Sequence, residues 1–233
     1  MAHLLKGRSV VVTGGFGILG RALAVYLLEQ GARVAALDLS AVPVDIQASE
    51  DFLPLGGVDL TDPVSAGDAM AQVSSAFGQI DSLVNVAGGF AWEPFETGVL
   101  ETWDRMYQMN VRTTVTATHA ALPHLLASAD GRVVSISAVA AGKAGLGVSA
   151  YAAAKAGVSR FTESLAEELK ARSVTVNAVM PSIIDTPANR ADMPDEDFSS
   201  WVAPSSLAAV IGFLLSDQAA VITGACLPVT GKV

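Results

Sequence analysis

The sequence predicts an α/β protein in which helices cover both faces of a doubly wound parallel sheet. Two kinds of segment alternate along its 233 residues: short β-branched runs, and longer Ala/Leu-rich stretches with helical spacing. The short runs are hydrophobic without alternation, as in strands that are buried on both faces. Repetition of strand, helix and strand with short connections is typical of a doubly wound sheet. The length suits a single domain over residues 1–233.

Each element has its own signal in the sequence. Six strands are predicted from the hydrophobic runs at 9–13, 33–37, 82–86, 132–136, 174–179 and 221–229. Five helical stretches are predicted at 21–30, 63–77, 100–126, 149–172 and 205–215, and the third is expected to hold two helices in succession. Gly31 is expected to end the first helix, and Asp62 to cap the second. The irregular segment 181–203 is interpreted as a substrate lid, because it contains large apolar side chains among Pro, Asp and Ser.

Composition excludes several classes of function. Lys and Arg number 14 against 23 Asp and Glu, so the net charge is 14 − 23 = −9, and no nucleic-acid partner is expected. No apolar run is long enough for a membrane span, and the first residues run into a strand rather than a signal peptide. The single Cys226 and the three histidines form no metal-ligand pattern. We therefore expect a soluble, cytoplasmic protein without a metal.

A glycine-rich turn follows the first predicted strand and precedes the first helix. Gly15, Gly17 and Gly20 fit the pattern G-x-G-x-x-G, and Gly14, Gly17 and Gly20 fit G-x-x-G-x-x-G. Such glycines permit a tight turn and close approach of a pyrophosphate, which the positive end of the following helix stabilises. In this strand–turn–helix context the pattern predicts a dinucleotide site in a Rossmann-type fold.

Asp38 ends the second predicted strand, 38 − 20 = 18 residues after the last glycine. An acidic residue at this distance hydrogen-bonds the adenosine ribose hydroxyls and repels a 2′-phosphate. No arginine follows Asp38 directly, so NAD(H) is favoured over NADP(H). Arg21 and Arg33 lie nearby in sequence, and they keep NADP(H) as the less favoured alternative.

Tyr151 and Lys155 lie four residues apart in a helical stretch, which places them on one helix face. A phenol has a reference pKa of about 10, too high for ready proton transfer at neutral pH. A lysine cation nearby favours the phenolate and should lower the pKa of Tyr151. The pair predicts an acid/base catalyst, with Lys155 also able to hold a nicotinamide ribose.

With these motifs the chain resembles the short-chain dehydrogenase/reductase family over essentially its whole length. The resemblance implies an NAD(P)-dependent oxidoreductase that acts on a small molecule as a homodimer or homotetramer. It also implies that Asn110 supports the proton relay, that Asp59 contacts adenine, and that the backbone of residues 85–88 lines the cofactor. The implied cofactor-binding residues are Gly14, Phe16, Gly17, Ile18, Leu19, Gly20, Asp38, Asp59, Leu60, Asn85, Ala87, Gly88, Tyr151, Lys155, Pro181, Ile183, Ile184 and Thr186.

One departure from the family concerns the serine that donates a hydrogen bond to the substrate carbonyl. It typically lies 13 residues before the tyrosine, and 151 − 13 = 138 is Ala138. Ser137 is one place away, so on an unbroken strand it would point to the opposite side. Loss of a comparable donor costs ~2.7–4 kcal/mol in other enzymes. Three alternatives remain: a bulge makes Ser137 catalytic, Ser149 substitutes, or the substrate needs no such donor.

A narrower resemblance bears on the last alternative. Residues 185–201 and 86–92 are similar to dihydropteridine reductases, members of the family that use NADH, keep the tyrosine and lysine, and lack the serine. The resemblance implies a small, planar substrate such as a quinonoid dihydropteridine, held by Phe90, Trp92 and Trp201. The alternatives are an ordinary carbonyl/alcohol reductase of the 3-oxoacyl type and, more remotely, a non-catalytic NAD sensor.

Overall fold

The computed structural model describes residues 3–233, which contain one sheet of seven parallel strands. The strands are β1 (Ser9–Thr13), β2 (Arg33–Leu37), β3 (Phe52–Leu55), β4 (Ser82–Asn85), β5 (Gly131–Ile136), β6 (Val174–Pro181) and β7 (Cys226–Val229). Their order in the sheet is β3-β2-β1-β4-β5-β6-β7, and every pair is parallel. The prediction of a doubly wound, Rossmann-type parallel sheet is confirmed.

Seven α-helices accompany the strands in the described residues. They are α1 (Ile18–Glu29), α2 (Pro63–Phe77), α3 (Leu100–Tyr107), α4 (Thr113–Ala127), α5 (Ser149–Glu168), α6 (Pro187–Asp192) and α7 (Pro204–Leu215). The stretch 100–126 does hold two helices, and a π-type helical turn at Gln108–Arg112 joins them. The side chain of Asp62 accepts from Val64 N and caps α2 as predicted. Gly31, with φ +82°, follows the end of α1.

The two faces of the sheet bury separate apolar cores. On one face α2, α4 and α5 pack on strand residues such as Val11, and on the other α1 and α7 pack on residues such as Val10 and Val12. This alternation is what a strand covered on both sides requires. Each fully buried Leu or Val contributes ~1.5–3 kcal/mol, so the two layers hold all strand ends at one edge in fixed register.

Three elements differ from the sequence prediction. The strand β3 was not predicted, because it has four residues, contains Pro54 and lies at the sheet edge, where proline is tolerated. The last strand is shorter than the predicted 221–229, and α5 ends at Glu168 rather than at 172. The predicted lid begins where β6 ends at Pro181, and it contains the short helix α6.

No helix in residues 3–233 is long and apolar enough to cross a membrane.

Candidate active site

The carboxyl ends of the parallel strands bring the predicted site residues to one edge of the sheet. There β1 lies between β2 and β4, so the connections after β1 and β4 leave in opposite directions. Ligands of doubly wound sheets bind in the crevice at this kind of switch point. The glycine turn follows β1, Asp38 follows β2, and residues 86–90 follow β4.

Packing within the protein explains three of the four glycines in the turn. A Cβ on Gly14, which has φ +62°, would lie 2.9 Å from Ala87 Cα, and one on Gly15 would lie 2.9 Å from Ala36 Cα. A Cβ on Gly20 would overlap Gly14 O. By contrast, a Cβ on Gly17 would meet only Gly14 O, at an ordinary 3.5 Å. Gly17 therefore leaves space outside the protein core, directly before α1.

That space lies at the N-terminus of α1. Gly17 is the capping residue of α1, and no side chain accepts a hydrogen bond from the helix start. Backbone N–H groups at a helix N-terminus, together with the helix dipole, favour a negatively charged group. The turn thus fits a pyrophosphate, as the sequence predicts for Gly14, Phe16, Gly17, Ile18, Leu19 and Gly20.

Asp38 is held beside the glycine turn by backbone hydrogen bonds. Its Oδ2 accepts from Phe16 N at 3.1 Å, and its Oδ1 accepts from Ser40 N at 3.0 Å. Val58 N donates to the carbonyl of Asp38, which brings the segment with Asp59 next to it. Hydrogen bonds from Thr61 lower the pKa of Asp59, and Leu60 is buried in the core. Asp38 and Asp59 therefore lie on neighbouring segments, and their contacts with adenosine stay predictions.

The two arginines considered for NADP(H) lie at different distances from Asp38: Arg33 is remote from it, and Arg21 is near it. Arg33 lies at the opposite end of β2, where it donates to Ser9 Oγ and its guanidinium lies 5.1 Å from the centre of the Phe77 ring. Arg21 donates to Phe16 O and pairs with Asp45 at 2.6 Å. Asp38 and Arg21 thus both contact the backbone of Phe16, and the preference for NAD(H) over NADP(H) stays a prediction.

Thr13, at the end of β1, joins the first strand to the segment after β4, and the sequence reading missed it. Its Oγ1 accepts from Val86 N and Ala87 N, both at 3.1 Å. The side chain of Asn85 turns into the interior, where it donates to Thr118 Oγ1 and Ser135 Oγ. The Asn85 side chain is therefore directed away from the cofactor side, and contact of the 85–88 backbone with a cofactor stays a prediction.

The predicted catalytic pair lies in the first half of α5, where Lys155 is buried and Tyr151 is half-buried. Lys155 Nζ donates to Ile136 O at 2.8 Å and lies 5.9 Å from the centre of the Tyr151 ring. Burial lowers the pKa of Lys155 to about 8 and raises the pKa of Tyr151 to about 12. The predicted lowering of the Tyr151 pKa is wrong for this structure, because desolvation of the phenolate dominates. At neutral pH the phenol is protonated and the ammonium is charged.

Asn110 lies beside this pair, in the π-type turn between α3 and α4. Its Oδ1 accepts from Gly89 N at 3.2 Å, and its Nδ2 donates to Gly89 O at 3.1 Å and to Met106 O. A Cβ on Gly88 would lie 2.6 Å from Asn110 Oδ1 and 3.4 Å from Lys155 Nζ. Asn110 therefore fixes the backbone next to Lys155. Its role in a proton relay stays a prediction.

The structure contradicts the assignment of Ser137 as a catalytic residue. No bulge is present: Ser137 N continues the ladder of β5 to Val179 O at 2.9 Å. Its hydroxyl, only 1% exposed, donates to Lys155 O at 3.0 Å and lies 2.7 Å from Ser159 Oγ. The side chain thus points under α5, as the pleat of an unbroken strand requires. Ala138 occupies the place of the donor.

The three predicted substrate aromatics have different positions. The Phe90 ring meets the Tyr151 ring edge-on, with centres 5.0 Å apart, and Phe90 is exposed. Trp92 is also exposed and lies against Gly147. Trp201 is only 6% exposed and packs on Phe198, so its prediction as a substrate contact is wrong: the indole is part of the protein interior.

The segment after β6 is fixed at its base. Pro181 ends β6, and Ile183 O accepts from Val202 N. Ile184 pairs with Val202, and the hydroxyl of Thr186 accepts from Asn189 N as the cap of α6. Contacts of Pro181, Ile183, Ile184 and Thr186 with a cofactor, and closure of the lid, stay predictions. In the described residues no three His, Cys, Asp or Glu lie close enough to hold a metal.

A glycine turn at the switch point and a tyrosine–lysine pair at the same sheet edge define a class, the dinucleotide-dependent oxidoreductases. Residues 8–197 match the family described as short chain dehydrogenase, and the chain belongs to this family of oxidoreductases. The 3-oxoacyl-[acyl-carrier-protein] reductase of Vibrio cholerae is 32% identical over 240 aligned residues, covering 97% of each chain.

Solved structures of two Brucella melitensis proteins share the fold. The short-chain dehydrogenase/reductase described as a glucose/ribitol dehydrogenase has a TM-score of 0.91 and 29% identity, and the match covers 99% of this chain and 98% of the other. A 3-ketoacyl-(acyl-carrier-protein) reductase complexed with NADH has a TM-score of 0.87 and 26% identity, with 98% and 100% covered.

Proposed function

We propose that this protein is an NAD(H)-dependent oxidoreductase that interconverts a carbonyl compound and an alcohol, with Tyr151 as acid/base. The observation that carries the proposal is the Tyr151–Lys155 pair, a half-buried phenol beside a buried lysine, next to a glycine turn that Asp38 borders. Its relatives support carbonyl chemistry, since the Vibrio cholerae protein reduces 3-oxoacyl groups by its description. NAD(H) is proposed over NADP(H) because of Asp38, and the Brucella neighbour complexed with NADH is consistent with this choice.

Residues at the carboxyl ends of the strands would hold the cofactor along its whole length. The backbone at Gly17 and the start of α1 would bind the pyrophosphate, and Asp38 would accept hydrogen bonds from the adenosine ribose. Lys155 and the backbone near Gly88 would border the nicotinamide ribose. When bound, the nicotinamide supplies a hydride in reduction and accepts one in oxidation.

Tyr151 would exchange a proton with the substrate oxygen. Because its phenol is protonated at neutral pH, it is ready to donate that proton to the substrate oxygen in reduction. The ammonium of Lys155 then stabilises the phenolate that remains. Ile136 O and the backbone next to Asn110 keep Lys155 in place, so the ammonium needs no rearrangement during the transfer.

A second candidate substrate is a quinonoid dihydropteridine. The observation that favours it is Ala138 in the place of the carbonyl donor, with the Ser137 hydroxyl directed under α5. An electron-poor ring system accepts hydride without a polarised ketone, so the missing donor would cost it little. The remote third alternative is an NAD sensor without catalysis. It is disfavoured because it gives the Tyr151–Lys155 pair no role.

The test is NADH oxidation with acetoacetyl-coenzyme A, a simple ketone and quinonoid dihydropterin, run in parallel and repeated with NADPH. Tyr151→Phe should lower turnover by ~10²–10⁴-fold while NADH affinity stays within a few-fold. Turnover of the ketones supports the main proposal, and turnover of the pterin alone supports the second. Binding of NADH without Tyr151-dependent turnover of any acceptor would overturn both. The homo-oligomer and the cytoplasmic location stay predictions.

A further inference from the structure

Three buried polar side chains lie next to one another at the amino ends of neighbouring strands. Ser82 Oγ on β4, Arg132 Nε on β5 and Thr175 Oγ1 on β6 have no hydrogen-bond partner among residues 3–233. In the register of the sheet, Ser82 pairs with Arg132 and Arg132 pairs with Thr175. Their side chains therefore leave the sheet on the same face, on strands about 4.8 Å apart. Buried polar atoms without a partner are rare, so three adjacent ones indicate a shared ligand.

These three side chains, which we call the polar row, lie far from the candidate active site. Val10, which pairs with Ser82, packs in the core under α1 and α7, so the polar row faces these two helices. The glycine turn and Asp38 follow the carboxyl ends of their strands, whereas the polar row is at the amino ends. The polar row thus belongs to neither the dinucleotide site nor the surroundings of Tyr151.

The charge that is buried at the polar row is positive. The Arg132 side chain is 3% exposed, donates to Gly131 O, and has Asp130 Oδ1 3.7 Å from its Nη2. The Arg8 side chain is 13% exposed and pairs with Asp217 at 2.6 Å. The side chains of Asp130 and Asp217 are 57% and 84% exposed, so water screens their charges. Two guanidinium groups therefore lie inside the protein, while the carboxylates beside them lie at its surface.

This arrangement disfavours the charged form of Arg132. Burial, and after it the charge of Arg8, lowers the pKa of the Arg132 guanidinium. The buried carboxylate of Asp81 does not compensate, because its oxygens accept from a serine hydroxyl, a backbone N–H and a glutamine amide. A buried charge is costly unless it is paired. A negatively charged ligand would offset the repulsion between the two arginines and would accept from the unpartnered donors.

We propose that the polar row is a binding site for a small monovalent anion of the halide class. Arg132 Nε–H and the hydroxyls of Ser82 and Thr175 would donate to the anion, and the guanidinium would supply the opposite charge. The three residues are at most 9% exposed, which favours a compact ion over a larger oxyanion or an organic carboxylate. The site goes beyond the proposed function, and its test needs neither cofactor nor substrate.

Thermal unfolding of the full chain in sodium chloride and in sodium gluconate at equal ionic strength tests the proposal. The unfolding midpoint should rise with chloride concentration, because an ion that binds only the folded state stabilises that state by mass action. Gluconate is too large for the polar row and should give no such rise. Equal midpoints in the two salts at every concentration would overturn the proposal.

Two variants remove one hydroxyl each and keep most of the side-chain shape. Thr175→Val and Ser82→Ala should each weaken chloride binding about tenfold. In gluconate both should be at least as stable as the wild type, because an unpartnered buried hydroxyl is lost, and in chloride both should be less stable. Thr162→Val is the matched control, since its buried hydroxyl donates to Val158 O, and it should respond to chloride like the wild type. A wild-type response in both Thr175→Val and Ser82→Ala would contradict the site.

Two further measurements separate an ion site from a general effect of salt. Asp217→Asn removes the exposed carboxylate that pairs with Arg8 and should strengthen chloride binding about threefold, whereas Asp68→Asn, the same change on α2, should not. Crystals soaked in bromide should show an anomalous peak beside Arg132 Nε. A peak there without any effect of chloride on the unfolding midpoint would mean an adventitious ion only, and it would overturn the proposal.

Discussion

The glycine turn at residues 14–20 and the aromatic surface around Trp92 lie at the same sheet edge, yet different contacts hold them. In the turn, Gly14, Gly15 and Gly20 touch residues of adjacent strands or of the turn itself. At Trp92 the contacts reach across the chain to Gly147, 55 residues away. The glycine turn packs on the backbone of β2 and of the segment that follows β4, whereas the aromatic surface joins two loops outside the sheet.

The two regions differ in how much they can vary among relatives with the same fold. A turn built from its own glycines and the strand beside it can bind the same phosphates in any relative with the same fold. A surface that is assembled from loops can change with single substitutions while the sheet stays intact. We therefore expect substrate selection to depend on the loops, and the following variants are ordered from the largest expected effect to the smallest.

The largest effects are expected in the turn, where two glycines should respond in opposite ways. Gly20→Ala places a methyl group on Gly14 O and should lower the free energy of unfolding by ~3 kcal/mol or more, because backbone cannot move aside. Gly17→Ala, at φ −73°, should leave the thermal unfolding midpoint nearly unchanged and weaken NADH binding more than tenfold. Calorimetry and NADH fluorescence measure the two properties.

The outcome that would contradict the phosphate site is a Gly17→Ala variant that binds NADH like the wild type. Gly67→Ala serves as the control, since a Cβ at Gly67 on α2 would meet nothing within 4 Å. It should raise the unfolding midpoint slightly, because alanine is ~0.5–1 kcal/mol more favourable than glycine in a helix interior, and it should leave the affinity for NADH unchanged.

The same contrast explains how far the sequence could be read. The glycine turn, α2 with its Asp62 cap, and the Tyr151–Lys155 spacing follow from local signals, and the structure has them at the predicted places. Strand parity favoured a Ser137 that points away, but a local pattern could not exclude the bulge that kept Ser137 as a catalytic candidate. The strand β3 depends on its pairing with β2, and Trp201 is buried within the irregular segment 181–203, so no local pattern reports either feature. The seat of Trp92 on Gly147 is of this second kind.

Substitution of Asp38 tests the proposed preference for NADH over NADPH. Asp38→Ala should weaken NADH binding ~10–100-fold, the equivalent of ~1.5–3 kcal/mol for a hydrogen bond to a charged group, and improve the ratio of NADPH to NADH use. The exposed Asp51→Ala removes the same charge elsewhere and should have no such effect. Titrations with both nucleotides measure the change. An unchanged cofactor preference in Asp38→Ala would mean that another residue excludes the 2′-phosphate.

The dependence of kcat/KM on pH should report on Lys155 and Tyr151. As pH rises through about 8, Lys155 loses its proton while Tyr151, with a pKa of about 12, keeps its own. The phenolate that forms during reduction then lacks its cation, so kcat/KM for reduction should be level below pH 8 and fall about tenfold per unit above it. Lys155→Arg keeps the charge and should move the fall to higher pH. A level profile up to pH 10 in the wild type would exclude Lys155 from this role.

The smallest effect on activity is expected at Ser137. Ser137→Ala should lower turnover no more than a few-fold, because the hydroxyl serves Lys155 O and Ser159 rather than the substrate. Stability should fall by ~1–3 kcal/mol, since buried polar groups lose a partner. If Ser137 donated to the substrate, its loss would lower kcat by ~10²–10³-fold.

The complementary variant is Ala138→Ser, which puts a hydroxyl on the side opposite to the Ser137 side chain. It should raise turnover of simple ketones and leave turnover of planar, electron-poor acceptors unchanged, because only the ketones need a polarising donor.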